Sequence, residues 1–180
     1  LNILFNPVGN QEFDTSQVTA YYHTNYAHDW ITQRIGASLP SLDISIPTIV
    51  NEVIKTCSAW YTIFLPSLNF VKAGSNCINS AYDTIVYHEY GHFFDEMAGG
   101  ILNFELSEGS GDLLACFITN QPLIAEGLYG PNTVKRVCNN NYQWPWDTSG
   151  IDVHILGQAL SGFAWDARSL LGSQIAEQIF

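Results

Sequence analysis

Thr84-Ile85-Val86-Tyr87-His88-Glu89-Tyr90-Gly91-His92 is an apolar run that leads straight into the pattern His-Glu-x-x-His. In a helix, the i, i+4 spacing stacks His88 and His92 one turn apart on one face, where two imidazole nitrogens can converge on a single ion. Glu89 stands one position round the helix from His88, beside such an ion but not on it, as a base that takes a proton from water must. The run therefore predicts a helix that carries a zinc (Zn2+) site.

Zinc in a hydrolase usually keeps three protein ligands and one open position, so two histidines need a third partner. A metzincin continuation would require Gly at position 95 and His at 98, and the chain has Asp95 and Ala98. The other source is a glutamate on a following helix, and Leu106-Ser107-Glu108-Gly109-Ser110-Gly111-Asp112 offers one. On one helical face Glu108 could ligate zinc while Asp112, a turn later, accepts the free N–H of a ligating histidine and fixes its tautomer. The competing reading is that both are N-terminal acids that satisfy a helix macrodipole.

The chain has 180 residues, of which 47% are hydrophobic, enough to bury a real core as one compact unit or two small lobes. With 17 acidic against 6 basic residues the formal charge is −11, which argues against nucleic acid and anionic membrane surfaces as partners. Excess carboxylates could serve calcium (Ca2+), but no loop carries a D-x-D-x-D-G pattern. The four cysteines allow three pairings and form no C-x-x-C. We expect Cys57–Cys77 and Cys116–Cys138, since each ties a strand or helix to the loop region that follows it. Two disulfides imply an oxidising, extracellular or cell-surface setting. No signal peptide or apolar run of membrane-spanning length is visible. The abrupt start at Leu1 and the stop at Phe180 suggest a processed form or a piece of a longer chain.

Residues 1–13 look extended, with a turn at Asn6-Pro7-Val8-Gly9-Asn10. A helix capped by Asp14, Thr15 or Ser16 is expected to run to about Ala37, with Val18, Tyr21, Tyr22, Ala27, Trp30, Ile31 and Ile35 on its apolar face. His23 and His28, five apart on it, share no face well and are taken as structural. Strands are expected over Ile46–Ile54 and Cys57–Leu65. The zinc helix should stop near Gly99-Gly100, a third helix should begin near Ser107 or Glu108, 120–150 should be mostly loop, and a last helix should start about Asp152. Strands early and helices late give an α+β fold. A β-rich lobe would occupy about residues 1–80 and a helical lobe about 81–180.

His88-Glu89-Tyr90-Gly91-His92 followed by Glu108-Gly109-Ser110-Gly111-Asp112 resembles the two-part zinc signature of the gluzincin metallopeptidases, in particular the thermolysin-like and fungalysin-like enzymes. The interval between the two parts is shorter than in thermolysin, and the resemblance covers roughly residues 57–168. It implies a thermolysin-like fold with an N-terminal mixed sheet, a central zinc helix and a short helical C-terminal lobe. It also implies that Cys57-Ser58-Ala59-Trp60-Tyr61 holds the edge strand that hydrogen-bonds substrate backbone, with Ser58 in place of the family's asparagine. By the same resemblance His154 stabilises the tetrahedral intermediate and Arg136 meets a substrate carbonyl. The family's tyrosine between second histidine and glutamate is missing from residues 93–107, which leaves Tyr129 or Tyr142 as candidates.

The activity so implied is zinc-dependent endopeptidase action on a peptide or protein substrate, with Glu89 as base and His154 as electrophilic partner. Two other classes fit the same ligands: a zinc hydrolase of a non-peptide substrate, and a non-catalytic module among other domains of a larger extracellular assembly.

Overall fold

The helix that carries His88 spans Asp83–Met97, and every residue from Thr84 to Gly91 along it is buried. So complete a burial requires partners on several sides. The computed structural model describes residues 11–35, 39–143 and 152–180. The expected turn at 6–10, the end of the first helix at 36–37 and loop residues 144–151 lie outside the described residues. In chain order the described elements are α1 (Glu12–Ile35), β1 (Thr48–Glu52), β2 (Ala59–Thr62), β3 (Ser67–Val71), α2 (Asp83–Met97), α3 (Phe104–Thr119), β4 (Leu123–Ile124), β5 (Arg136–Val137), α4 (Val153–Leu171) and α5 (Ser173–Ile179). The fold is α+β: the three-stranded sheet precedes the central helix, and α3, α4 and α5 follow it, with β4 and β5 between α3 and α4.

β1 runs parallel and β2 antiparallel to β3, in the order β1-β3-β2, so the central strand is β3. The expected strands are present but shorter than anticipated, and β3 itself was not foreseen. Its sequence Ser67-Leu68-Asn69-Phe70-Val71 places a buried asparagine mid-strand, which breaks the apolar pattern that marks a central strand. Asn69 tolerates burial because Nδ2 donates to Trp60 O, Ser67 O and two hydroxyl oxygens.

α1 differs from expectation in the face it buries. Ser16, Ala20, Thr24, Ala27 and Ile31 point inward, while Tyr21 and Tyr22 are exposed. Small side chains on the inner stripe let this helix lie close to α2, and apolarity alone does not reveal such a stripe. Ser16, proposed as a cap, instead donates its hydroxyl to Phe13 O and Asn51 Oδ1. One buried cluster runs from Ala20 and Ile31 of α1 through Leu68 and Phe70 of β3 and Val86 and Phe93 of α2 to Leu114 of α3. No described helix is long and apolar enough to cross a membrane.

α3 begins a turn earlier than expected, because the Asn103 side chain accepts from Leu106 N and caps it. Glu108 therefore sits in the second turn, where the macrodipole no longer accounts for it. Glycines set how closely the helices approach. A Cβ on Gly91 would lie 2.8 Å from Gly111 Cα, and one on Gly157 would lie 2.7 Å from Gly109 N, so α2 meets α3 and α3 meets α4 backbone to backbone. The last helix starts at an Asp152 cap as anticipated, but Gly172, at φ +88°, turns the chain into α5. Within the expected loop, β4 and β5 form a short antiparallel pair.

Both disulfides have the expected partners, Cys57–Cys77 and Cys116–Cys138, and no cysteine is free. Cys116 follows Asp112 by one turn and Cys138 follows Arg136 by two residues, so the second bridge ties α3 to β5 where those two side chains meet.

A substitution follows from Gly111. Its Cβ would stand 2.8 Å from His88 Nδ1 and 3.0 Å from His88 O, so Gly111→Ala must push the imidazole or the two helices apart. We expect a loss of about 1–3 kcal/mol of stability and roughly tenfold or greater weakening of metal binding. Thermal unfolding and metal titration measure the two effects, and an unchanged affinity would show that the close approach does not set the His88 position.

Candidate metal centre

His88 and His92 project from one face of α2, their ring centroids 4.8 Å apart. Glu108 comes across from α3. His88 Nε2 lies 3.1 Å from Glu108 Oε2 and His92 Nε2 3.8 Å from Glu108 Oε1. Two ligands each about 2.0–2.1 Å from a tetrahedral zinc stand roughly 3.3 Å apart, and these separations bracket that figure. The three donor atoms lie within 4.8 Å of one another, and among the described residues this group alone can hold a metal ion. Glu108 Oε2 is buried, with His88 Nε2 at 3.1 Å and His154 Nε2 at 3.3 Å, but neither nitrogen meets it in hydrogen-bonding geometry. A buried carboxylate oxygen that accepts no hydrogen bond is costly, and a cation between these donors would relieve it. The donor set, two imidazoles and one carboxylate, suits zinc.

Outer contacts hold each ring. His88 Nδ1 lies 2.8 Å from Asp112 Oδ1, which leaves Nε2 to face Glu108. His92 Nδ1 lies 3.3 Å from Ser107 Oγ, and that hydroxyl donates to Asp95 Oδ2 at 2.9 Å, so Ser107 accepts from the ring. Neither Ser107 nor Asp95 was nominated from sequence. The available signal was Asp95 three residues after His92 and Ser107 directly before Glu108.

Arg136 does not point freely at the cleft. Its Nε and Nη2 each donate to Asp112 at 2.6 Å, and both residues are buried. Burial works against both charges, but their attraction outweighs it: the Asp112 carboxyl is held well below its usual range and the Arg136 guanidinium is raised. His88 is likewise raised, because its contacts with the Asp112 and Glu108 carboxylates overcome burial. His92, desolvated and beside a charged His88, falls to about 4. Glu89 is buried and forms no hydrogen bond or ion pair with a described residue, and desolvation lifts it to about 7. A base poised near neutrality is what proton transfer needs.

His154, on the first turn of α4, is oriented by Asp152, whose Oδ1 lies 2.6 Å from His154 Nδ1. Its Nε2 comes within 3.3 Å of Glu108 Oε2. A cleft of about 140 Å³ is lined by His88, Glu89 and His154 together with Ser58 and Ala59. Three larger cavities among the described residues, about 680, 590 and 410 Å³, contain neither the three donors nor Glu89. Among the described residues β2 is an edge strand of the three-stranded sheet, bonded only to β3. Trp60 points away from the cleft and lies under Lys55, whose Nζ sits 4.3 Å from the ring centre. Neither Tyr129 nor Tyr142 lines the cleft. His23 Nδ1 pairs with Tyr87 OH at 2.6 Å and His28 with Asp29 at 3.1 Å, both away from this site.

The raised His88 fixes a pH dependence. A ring protonated at neutral pH must lose a proton to ligate, so metal uptake releases one proton and acid weakens binding. Zinc affinity should rise about tenfold per pH unit between about pH 6 and about pH 8. Titration calorimetry in buffers of differing ionisation enthalpy counts the proton, and an affinity flat across that range would contradict this account.

Scanned against protein-family models, the sequence matches none, and no curated protein matches it.

Proposed function

We propose that this chain is a zinc-dependent endopeptidase of the gluzincin kind, with a thermolysin-like fold, that hydrolyses peptide bonds with Glu89 as base. One observation carries the reading: donors from two helices converge beside a buried Glu89 carboxyl that has no partner among the described residues, in a narrow cleft that an edge strand also reaches. Zinc held by His88, His92 and Glu108 would supply a Lewis acid that polarises water and the scissile carbonyl. Glu89 takes the proton of the attacking water and passes it to the leaving amine. His154, held through Nδ1 by Asp152, directs Nε2 to the oxygen that gains negative charge. The free edge of β2, beginning at Ser58 and Ala59, offers backbone N–H and C=O groups to an extended substrate. Asp112 and Arg136 serve together: Asp112 fixes His88, and Arg136 neutralises Asp112. The two disulfides support an oxidising compartment, secreted or at a cell surface.

Metal analysis of protein never exposed to chelator should find about one zinc per chain, and digestion of an unfolded protein should stop with chelator and return with zinc. Absence of transition metal, or a zinc-loaded chain that cleaves no peptide, would sink the reading. His154→Ala should lower kcat by roughly 100-fold to 1,000-fold with little change in KM, since its hydrogen bond strengthens only in the transition state. If His154→Ala is silent, the electrophilic partner is another group.

A further inference from the structure

The cleft beside Glu89 measures about 140 Å³, whereas sites for drug-sized ligands run to roughly 300–1,000 Å³. It has room for one side chain. Its apolar lining is formed by Ile85, Ile124, Ala125 and Leu128, all buried. Two cations line it, Lys135 and Arg136. Both cleft-side donors of Arg136 that form bonds are committed to Asp112, so its charge is already matched. Lys135 differs. Its backbone N–H is bonded to Ile124 O, but its ammonium forms no ion pair or hydrogen bond with a described residue. In a chain with 17 acidic and 6 basic residues, a lysine with no ion-pair partner among the described residues, lining a cleft next to the metal centre, is chemically specific.

We infer that Lys135 is a specificity-determining residue, and that the cleft selects a glutamate or aspartate side chain beside the scissile bond. This rests on the peptidase reading above. The short methylene stem of such a side chain fits against Ile124 and Leu128, and its carboxylate reaches the lip where Lys135 stands. A lysine or arginine there would meet like charge, and a leucine would leave the ammonium without a partner. Lys135 is also within electrostatic reach of Glu89 and Asp152. Asp112 is paired with Arg136, Glu108 faces the two histidines and Asp152 faces His154, so among the described residues Glu89 is the one lining acid that shares the ammonium with an incoming carboxylate.

The test uses blocked hexapeptides in which each residue flanking the central bond is varied among Glu, Gln, Leu and Lys, with amidated and free C-termini. Hydrolysis by the zinc-loaded wild-type chain is followed by mass spectrometry, and binding is measured separately on zinc-loaded Glu89→Gln protein. We expect Glu to exceed Gln by about fivefold or more at one flanking position in both readouts, and Lys135→Glu to reverse the order so that Lys exceeds Glu. Equal values for Glu and Gln, a preference for Leu, an order unchanged in Lys135→Glu, or a requirement only for a free C-terminus overturns the assignment. Hydrolysis without acidic preference leaves the peptidase reading standing and this one fallen. Acid-selective binding without any wild-type hydrolysis does the opposite, and no binding of any peptide ends both.

Discussion

Replacing Glu89 with glutamine should lower peptide hydrolysis by roughly 1,000-fold or more while zinc content and folding stay near those of the wild type. The carboxyl is buried and unpaired, so the isosteric amide breaks no ion pair and leaves no charged partner behind. It also removes a group that burial has lifted to about 7, and an uncharged amide has no desolvation cost of ionisation to meet. Stability should therefore hold or rise slightly. What disappears is, among the described residues, the one carboxylate that lines the cleft, and with it the means of taking a proton from water. Steady-state kinetics, metal analysis and a denaturation curve on the same preparation check all three statements. If Glu89→Gln keeps most of its activity, Glu89 is not the base and the proposed chemistry fails.

Asp112→Asn should be the most destabilising single change near the site. The wild-type carboxylate is about fully buried and serves three nitrogens: His88 Nδ1 at 2.8 Å and two Arg136 donors at 2.6 Å. An amide supplies one oxygen and no charge, so it leaves a buried guanidinium uncompensated, which costs about 3–5 kcal/mol. His88 also loses its acceptor, and metal affinity should drop by roughly 10-fold to 100-fold. The double variant Asp112→Leu/Arg136→Met separates these effects. Stability should largely return because both buried charges are gone, but metal affinity should stay low because nothing then fixes the imidazole. Recovery of affinity in the double variant would show that Asp112 matters to the metal only through the fold. The acid dependence has a definite sign: the folded Asp112 carboxyl titrates below its unfolded value of 3.8, so its contribution is present above that pH and disappears as pH falls through the lower, folded value.

The parts legible in the sequence were those governed by local geometry. His88 and His92 share a face because an α-helix repeats every 3.6 residues, and Glu108 and Asp112 share one for the same reason. The strand-then-helix order gave the α+β class, and short separations along the chain made Cys57–Cys77 and Cys116–Cys138 the natural bridges. The element boundaries were less legible where a polar residue did structural work: Asn103 caps α3 a turn early, and Asn69 sits inside the central strand.

Other features depended on which surfaces meet. Nothing about Gly91 or Gly111 in isolation says that their backbones touch, yet that contact brings Glu108 to within reach of both histidines. Arg136 could be read as a free substrate contact until β5 placed it against Asp112, and Trp60 as cleft-lining until strand alternation turned it toward Lys55. Lys135 drew no notice at all, because a lone lysine in a loop is usually a solvated charge, and only the packing of the β4–β5 pair beside α2 sets it at the lip of the cleft. The sequence by itself determined the donors and their spacing, because those follow from the repeat of a helix. The tertiary structure alone decided which charges are spent on one another and which remain for a ligand, because that depends on contacts between residues far apart in the chain.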